Sequence, residues 1–136
     1  MKQQRWPYGQ KPIPTKRLSL VPMTADELAD AIDAQTDAHL KAAYTEMRRC
    51  VLEYPAQALW HTAWRMVHKE TGETVGDLGF QGVPVDKTVE IGYGVLEAFR
   101  KQGYAAEAVH ARIDWACTQP DVYYARARTD EGNLAS

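Results

Sequence analysis

A chain of 136 residues is long enough for one folded domain and too short for two. Its hydrophobic content of 45%, charged content of 25% and formal net charge of −2 are those of a globular protein and exclude a strongly basic nucleic-acid-binding surface. No apolar run is long enough for a signal peptide or a membrane span, and Cys50 and Cys117 stand far apart, so we expect buried free thiols in a cytoplasmic protein.

The first half of the chain predicts an arm, a strand and two helices. Residues 1–15 contain three prolines, which favour an extended arm, and the alternating residues 16–22 favour a strand. Thr24 and Glu27 have the spacing of a capping box and predict the start of the first helix. Apolar residues three and four positions apart predict a second helix over residues 37–53.

The second half predicts four strands and one helix. Residues 59–69 and 74–81 alternate in the manner of two strands joined by a tight turn, and residues 89–95 follow as a third. A helix over residues 104–118 and a strand over residues 122–128 complete the order. This order predicts a mixed α/β sheet in which the last helix crosses over between two parallel strands.

Two glycines interrupt the third of these strands. Gly92 and Gly94 lie on the same face as Glu90, whereas the opposite face is apolar. Glycine in a strand interior costs stability and offers no side chain to pack. We therefore expect either a β-bulge here or a ligand or second backbone close to this face.

The turn after this strand has the character of an anion site. Arg100 and Lys101 are followed by Gly103, where the alanine-rich helix begins. The first N–H groups of a helix lack partners within the helix and carry partial positive charge, so they attract phosphate groups. The two cations add full charges at the same point.

The residues around this turn resemble a known family. Residues 100–105 read R-K-Q-G-Y-A, which is similar to the R/Q-x-x-G-x-G/A loop of the GCN5-related N-acetyltransferase (GNAT) superfamily. Together with the preceding E-I-G-Y-G-V and the later E-G-N-L-A-S, the pattern resembles the branch that includes the ribosomal-protein N-terminal acetyltransferases. The resemblance covers residues 16–136. It implies an acyl-CoA N-acyltransferase fold, in which coenzyme A lies in a gap between two splayed parallel strands.

The resemblance implies transfer of an acetyl group from acetyl-coenzyme A to a primary amine, either a peptide N-terminus or a small molecule. Backbone amides of the loop would bind the pyrophosphate, the edge of the preceding strand would pair with the pantetheine arm, and an asparagine near the end of the chain would touch that arm. The cofactor-binding residues implied are Tyr93, Gly94, Val95, Arg100, Lys101, Gln102, Gly103, Tyr104, Ala105 and Asn133. For the Tyr104 side chain a packing role at the helix start is favoured.

An incoming ammonium is not nucleophilic, so a base or a water chain has to remove its proton. Glu90 is the catalytic candidate, with a half-exposed strand carboxylate as the alternative interpretation. Asp77 on the neighbouring strand is a second candidate, for which a structural role is favoured. The N–H group near Val95 is a candidate donor to the oxyanion of the tetrahedral intermediate.

We predict no metal site. His61 and His68 are an odd number of residues apart on one predicted strand, so their side chains should point to opposite faces. The tryptophans Trp60, Trp64 and Trp115 are expected in the core, with an acceptor pocket as the alternative for the first two.

The sequence ends at Ser136, before the further helix and the final strands that complete the family's fold. A fragment, a shortened paralogue and a homodimer in which a second chain covers the gap all remain open. So do two functions other than catalysis. One is a catalytically inactive acyl-CoA-binding or protein-interaction module, and the other is a structural subunit with no coenzyme A affinity.

Overall fold

A computed structural model describes residues 6–80, 82–85 and 87–119 and the backbone of residues 124–129. In that part of the chain six strands form one sheet: β1 (Ile13–Pro14), β2 (Leu18–Pro22), β3 (Trp64–His68), β4 (Thr74–Phe80), β5 (Thr88–Val95) and β6 (Tyr124–Thr129). The helices there are α1 (Ala25–Ala34), α2 (Ala38–Glu53), α3 (Ala58–His61) and α4 (Tyr104–Cys117). Short 3-10 turns lie at Pro7–Gly9, Pro55–Gln57 and Glu97–Phe99.

The strands lie side by side in chain order. Neighbours from β1 to β5 are antiparallel, whereas β6 runs parallel to β5 and is reached through α4. The predicted mixed α/β sheet with a helical crossover is therefore confirmed. The register shifts once among the pairs of β3 and β4, between Met66 and Val67, and continues without a shift between β4 and β5. The glycines of β5 thus do not mark a β-bulge against β4.

Side-chain caps fix where the first two helices begin. The N–H of Glu27 donates to Thr24 Oγ1 at 3.1 Å and the N–H of Thr24 donates to Glu27 Oε1 at 2.9 Å, which confirms the capping box of α1. Asp37 accepts from the N–H groups of His39 and Leu40 at the start of α2. Caps of this kind stabilise a helix by about 1 kcal/mol each.

The two faces of the sheet are covered by different helices. Leu78 belongs to the cluster that includes α4, whereas Met47 of α2 lies beside Gly79, one residue on and so on the opposite face. The cluster on the α4 face includes Leu18, Leu20, Trp64, Met66, Leu78, Ile91, Ala105 and Ala108, and the cluster under α1 and α2 includes Met23, Leu28, Val51, Ala58 and Ala63. The two clusters thus cover opposite faces of the sheet.

The N-terminal arm is more structured than its composition indicated. It forms a 3-10 turn at Pro7–Gly9, and β1 pairs with β2. The Tyr8 hydroxyl donates to the carbonyl of Met23 at 2.7 Å, which ties the arm to the start of α1.

The prediction of a strand over residues 59–69 is wrong for its first part. Residues Ala58–His61 form the helical turn α3, and β3 begins only at Trp64. Pro55 suits the first position of the preceding 3-10 turn, and the helical turn packs Trp60 against Phe80 and Trp115, each at 5.1 Å between ring centroids. Because His61 lies on α3, its separation from His68 cannot be read as an alternation along one strand.

Two further expectations about the surface can be compared with the structure. Both cysteines are free, but Cys50 is half-buried and Cys117 is exposed, so the prediction that they are buried is wrong. Cys117 ends α4 on the side that faces solvent. Within the described residues, no helix combines the length and the apolar character that crossing a bilayer requires.

Arg112 is an unusual core residue on α4. Its side chain is 0% exposed, and its guanidinium carbon lies 3.8 Å from the ring centroid of Trp64, 4.2 Å from Phe80 and 4.4 Å from Trp115. Nη2 donates to the carbonyl of Leu59 at 2.9 Å, whereas Nε and Nη1 have no hydrogen-bond partner among the described residues. Burial lowers the pKa of Arg112 because it disfavours the charged form.

Candidate functional site

The turn between β5 and α4 presents a run of backbone amides. Lys101 and Gly103 both have positive φ, of 65° and 83°, and no side chain caps the start of α4. The described part of the chain provides no acceptor for the N–H groups of residues 101–106. The N–H of Arg100, by contrast, already donates to the backbone carbonyl of Glu97 at 3.3 Å. Six successive amides at a left-handed turn and a helix N-terminus are thus available to an anion, whereas the Arg100 amide, which the sequence analysis included, is not.

Cations of different origin surround this turn. Lys101 is exposed, but Arg100 turns back, and its Nε donates to the carbonyl of Val95 at 2.9 Å. A third cation comes from the N-terminal part of the chain, where the Arg17 guanidinium lies 4.3 Å from the ring centroid of Tyr104. Its Nη2 would be 3.3 Å from a Cβ atom at Gly103, so Arg17 covers the glycine of the turn.

Glu107 fixes Arg17 in this position. Its carboxylate accepts from the Arg17 backbone N–H at 2.7 Å, from Arg17 Nε at 2.8 Å and from the Thr15 hydroxyl at 2.5 Å. Burial by itself raises the pKa of Glu107, but these hydrogen bonds outweigh burial and the pKa is lowered. The ion pair therefore ties the turn between β1 and β2 to the first turn of α4.

The edge of β5 is paired along most of its length. β6 lies beside it from Thr88 to Tyr93, and β5 continues for two residues beyond the last pair, through Gly94 and Val95. The N–H of Leu96 donates to β4 through the carbonyl of Val75 at 2.8 Å, so the N–H and C=O groups of Val95 point away from β4. Of the three residues expected to pair with a pantetheine arm, Tyr93 faces β6.

Glu90, Gly92 and Gly94 lie on the face of β5 opposite Ile91 and are half-buried. The register places Gly94 beside Asp77 and Gly92 beside Gly79 on β4. Paired residues of an antiparallel sheet point to the same face, so these residues share the face covered by α2. Glu90 is thus on the glycine-lined face, as predicted, near the start of β5.

Asp77 is bonded to a tyrosine of α2. The Tyr44 hydroxyl donates to Asp77 Oδ2 at 2.5 Å, and both side chains are half-buried. Burial raises the pKa of Asp77, and the hydrogen bond from Tyr44 offsets part of that rise. Burial and the neighbouring carboxylate together raise the pKa of Tyr44, which stays protonated and remains a donor.

A comparison with known families identifies this arrangement of strand, turn and helix. The model of the acetyltransferase (GNAT) domain family matches residues 17–136. The chain belongs to the GNAT acetyltransferase family. The predicted family is therefore confirmed, and the amide-rich turn lies within the matched residues.

A curated GNAT relative is the uncharacterized N-acetyltransferase YjdG of Bacillus subtilis strain 168. It is 36% identical over 75 residues, which are 54% of this chain and 45% of YjdG. The match therefore spans less than half the length of that relative, so it does not by itself show that this chain has the activity of YjdG.

Solved structures show the same GNAT fold. A Vibrio cholerae protein, a candidate ribosomal-protein-serine acetyltransferase, has a TM-score of 0.64 and 19% identity over 93% of this chain and 78% of its own. The ribosomal L7/L12 α-N-protein acetyltransferase RimL, solved in complex with coenzyme A, has a TM-score of 0.59 and 17% identity over 84% of this chain and 72% of its own. At these identities the likeness establishes the fold alone.

The remaining expectations for a GNAT site have different outcomes. Asn133 lies outside the described residues. Trp64 is fully buried and Trp60 and Trp115 are packed against the same cluster, which places all three in the core. Among the residues that the structure describes, no three His, Cys, Asp or Glu side chains are grouped so that they could hold a metal ion.

Sequence reasoning missed two residues near the site. Arg17 is 90 positions from Glu107, and Tyr44 is 33 positions from Asp77. No local pattern marks either one, because each is placed by strand pairing or by helix packing. An alternation of apolar residues can put Arg17 on a strand, but it cannot indicate which helix start the guanidinium covers.

Proposed function

We propose that the protein transfers an acetyl group from acetyl-coenzyme A to a primary amine. The observation that carries the proposal is the run of six backbone amides without acceptors among the described residues, at the loop position of a GNAT chain. The coenzyme A complex of RimL supports the choice of cofactor, and the peptide N-terminus that RimL acetylates supports an α-amine as acceptor.

Each part of the cofactor has a counterpart in the chain. The amides from Lys101 onward bind the pyrophosphate, and Lys101 and Arg17 neutralise part of its charge. The pantetheine arm runs along β5 at Gly94 and Val95, beyond the last pair with β6, and Asn133 contacts it. Arg100 holds the carbonyl of Val95, and the N–H of Val95 donates to the oxyanion as the amine attacks the thioester.

Proton removal requires a carboxylate on the same face as the glycines. Glu90 is the candidate that the family resemblance supplies, acting directly or through water.

We further propose that the protein is cytoplasmic, on the basis of its free thiols, and that it forms a homodimer. Sedimentation of the purified chain tests the dimer, since a monomer at micromolar concentration contradicts it.

The transfer reaction is tested by following thiol release from acetyl-coenzyme A. The acceptors are a panel of short peptides with free α-amino groups and small primary amines. Acetyl transfer to at least one amine, with product mass raised by one acetyl group, supports the proposal. Tight binding of acetyl-coenzyme A without turnover across the panel would show that the chain is a binding module instead.

A further inference from the structure

Asp77 lies closer to the expected thioester than Glu90 does. On the proposed function, on which this inference rests, the thioester lies at Gly94 and Val95. Asp77 is paired with Gly94 across the β4–β5 ladder, so their Cα atoms are about 5.5 Å apart. Glu90 lies four residues before Gly94, which is about 13 Å along the strand.

Two glycines lie next to Asp77 on the same face of the sheet. Gly92 and Gly94 contribute no side chains and are half-exposed on this face. The space at Gly79 is by contrast filled, because an added Cβ there would lie 3.3 Å from the Thr62 carbonyl oxygen and 3.8 Å from Met47 Cε. We call Gly92 and Gly94 the glycine floor; both are partly exposed, whereas Gly79 on β4 is buried, and Asp77 is paired with Gly94.

The cation next to Asp77 in the sheet is already paired with another carboxylate. Arg65 is its partner on β3, but that guanidinium pairs with Glu27 of α1 at 3.3 Å. α2 contributes the neutral Tyr44 hydroxyl. Within the described residues no Lys, Arg or His forms an ion pair with Asp77. A half-buried carboxylate in this state is stabilised by a cationic ligand.

We infer that the Tyr44–Asp77 pair receives the ammonium of the acceptor beside Gly94 and removes its proton. Asp77 is the catalytic residue of the pair, and Tyr44 is a positioning residue that occupies Oδ2 and leaves Oδ1 to the amine. The site therefore selects acceptors with an unhindered primary ammonium that can reach the glycine floor.

The proposed reaction forms one C–N bond, breaks the C–S bond and removes two protons from nitrogen. The acceptor ammonium gives one proton to Asp77, which later releases it to solvent, and the freed nitrogen lone pair forms a bond to the thioester carbon. The C=O π electrons move to oxygen, where the N–H of Val95 donates to the oxyanion. Collapse reforms the carbonyl and breaks the C–S bond, and the second proton leaves nitrogen and ends on the coenzyme A sulfur. An α-amine, with a pKa of about 7.7–8.0, suits a carboxylate whose own pKa is raised.

The test compares matched variants of the full chain. Asp77→Asn removes the base and retains an oxygen that can accept from Tyr44. Asp33→Asn removes one exposed carboxylate from α1 and serves as its control. Calorimetry with acetyl-coenzyme A reports cofactor binding, and thiol release with the amine panel reports turnover. We expect Asp77→Asn to lower kcat/KM about 10²–10⁴-fold while the Kd for acetyl-coenzyme A stays within about twofold of wild type.

Tyr44→Phe supplies a readout that a purely structural role would not give. The hydrogen bond from Tyr44 lowers the pKa of Asp77, so its loss should move the acid limb of the kcat/KM profile to higher pH. Tyr54→Phe, at an exposed tyrosine, should leave that limb in place.

The outcomes separate the inference from the proposed function. If wild type acetylates an amine and Asp77→Asn is as active as Asp33→Asn, the pair is not catalytic and acetyl transfer stands. Loss of turnover in Glu90→Gln with retention in Asp77→Asn would assign the base to Glu90 instead. Absence of turnover in wild type, with every amine, would overturn both.

Discussion

Substitution of Gly76 by alanine should damage the junction of β4 and β5 directly. A Cβ atom at Gly76 would lie 2.3 Å from the carbonyl oxygen of Gly94 and 2.9 Å from Cα of Val95. Carbon–oxygen contacts in sheets are usually about 3.3–3.6 Å, so β5 would have to move by about 1 Å. Both atoms belong to the backbone, and no rotamer change can relieve the clash.

The cost of this movement follows from what it disturbs. Overpacking of a core costs about 1–3 kcal/mol, and weakening one ladder hydrogen bond, such as that from Leu96 to Val75, adds about 0.5–1.5 kcal/mol. We therefore expect Gly76→Ala to lower the free energy of unfolding by about 2–4 kcal/mol. Because Val95 also shifts, binding of acetyl-coenzyme A should weaken in the variant that remains folded.

Gly79→Ala is the matched control, since it lies three residues along the same strand. Its nearest neighbour would be the carbonyl oxygen of Thr62 at 3.3 Å, which a small adjustment accommodates. Its unfolding free energy should stay within about 1 kcal/mol of wild type, because alanine also lowers the entropy cost of ordering a strand glycine. Urea unfolding followed by tryptophan fluorescence measures both. Equal midpoints for Gly76→Ala and Gly79→Ala would refute the close approach of the two backbones.

Three more predictions concern α4. Gly103→Ala places a side chain at φ 83°, so it should cost about 1–2 kcal/mol in unfolding free energy and weaken the calorimetric Kd for coenzyme A at least tenfold. Glu107→Gln should cost about 1–2 kcal/mol at pH 7. Because the folded pKa of Glu107 is lowered, its carboxylate stabilises the fold at pH values above its unfolded pKa. That stabilisation is lost as the pH falls through the folded pKa, so the variant should approach wild type at the acid end of an unfolding titration. Arg112→Met removes two unpaired buried nitrogens, so thermal unfolding should show equal or greater stability, whereas Arg112→Ala should lose at least 2 kcal/mol.

The segments that sequence reasoning predicted well are those fixed by local chemistry. Three such features depend on residues only a few positions apart. They are the capping box at Thr24, the end of β5 before the turn at Gly103, and the alternation of apolar residues along β5. The prediction of a strand beginning at residue 59 is wrong because the alternation of Trp60, Thr62 and Trp64 arises by chance and begins in a helical turn. Packing of Trp60 on Trp115 decides that turn, and a local pattern carries no information about it.

The candidate site also has residues that a local sequence pattern marks and residues that it does not mark. The glycine-containing turn and Glu90 could be found from a short stretch of sequence. The register that sets Asp77 beside Gly94 depends on how β4 aligns with β5, and the position of Arg17 depends on its bonds to Glu107. Both are long-range consequences of the sheet, and they bring Asp77 next to Gly94 and Arg17 next to Gly103.

The most direct measurement is a crystal structure of the full chain with acetyl-coenzyme A. We predict that the pyrophosphate oxygens lie about 2.7–3.2 Å from N–H groups between Lys101 and Ala106, with the thioester beside Val95. A cofactor bound elsewhere, or a turn that stays empty in excess acetyl-coenzyme A, would contradict the assignment of this turn as the cofactor site.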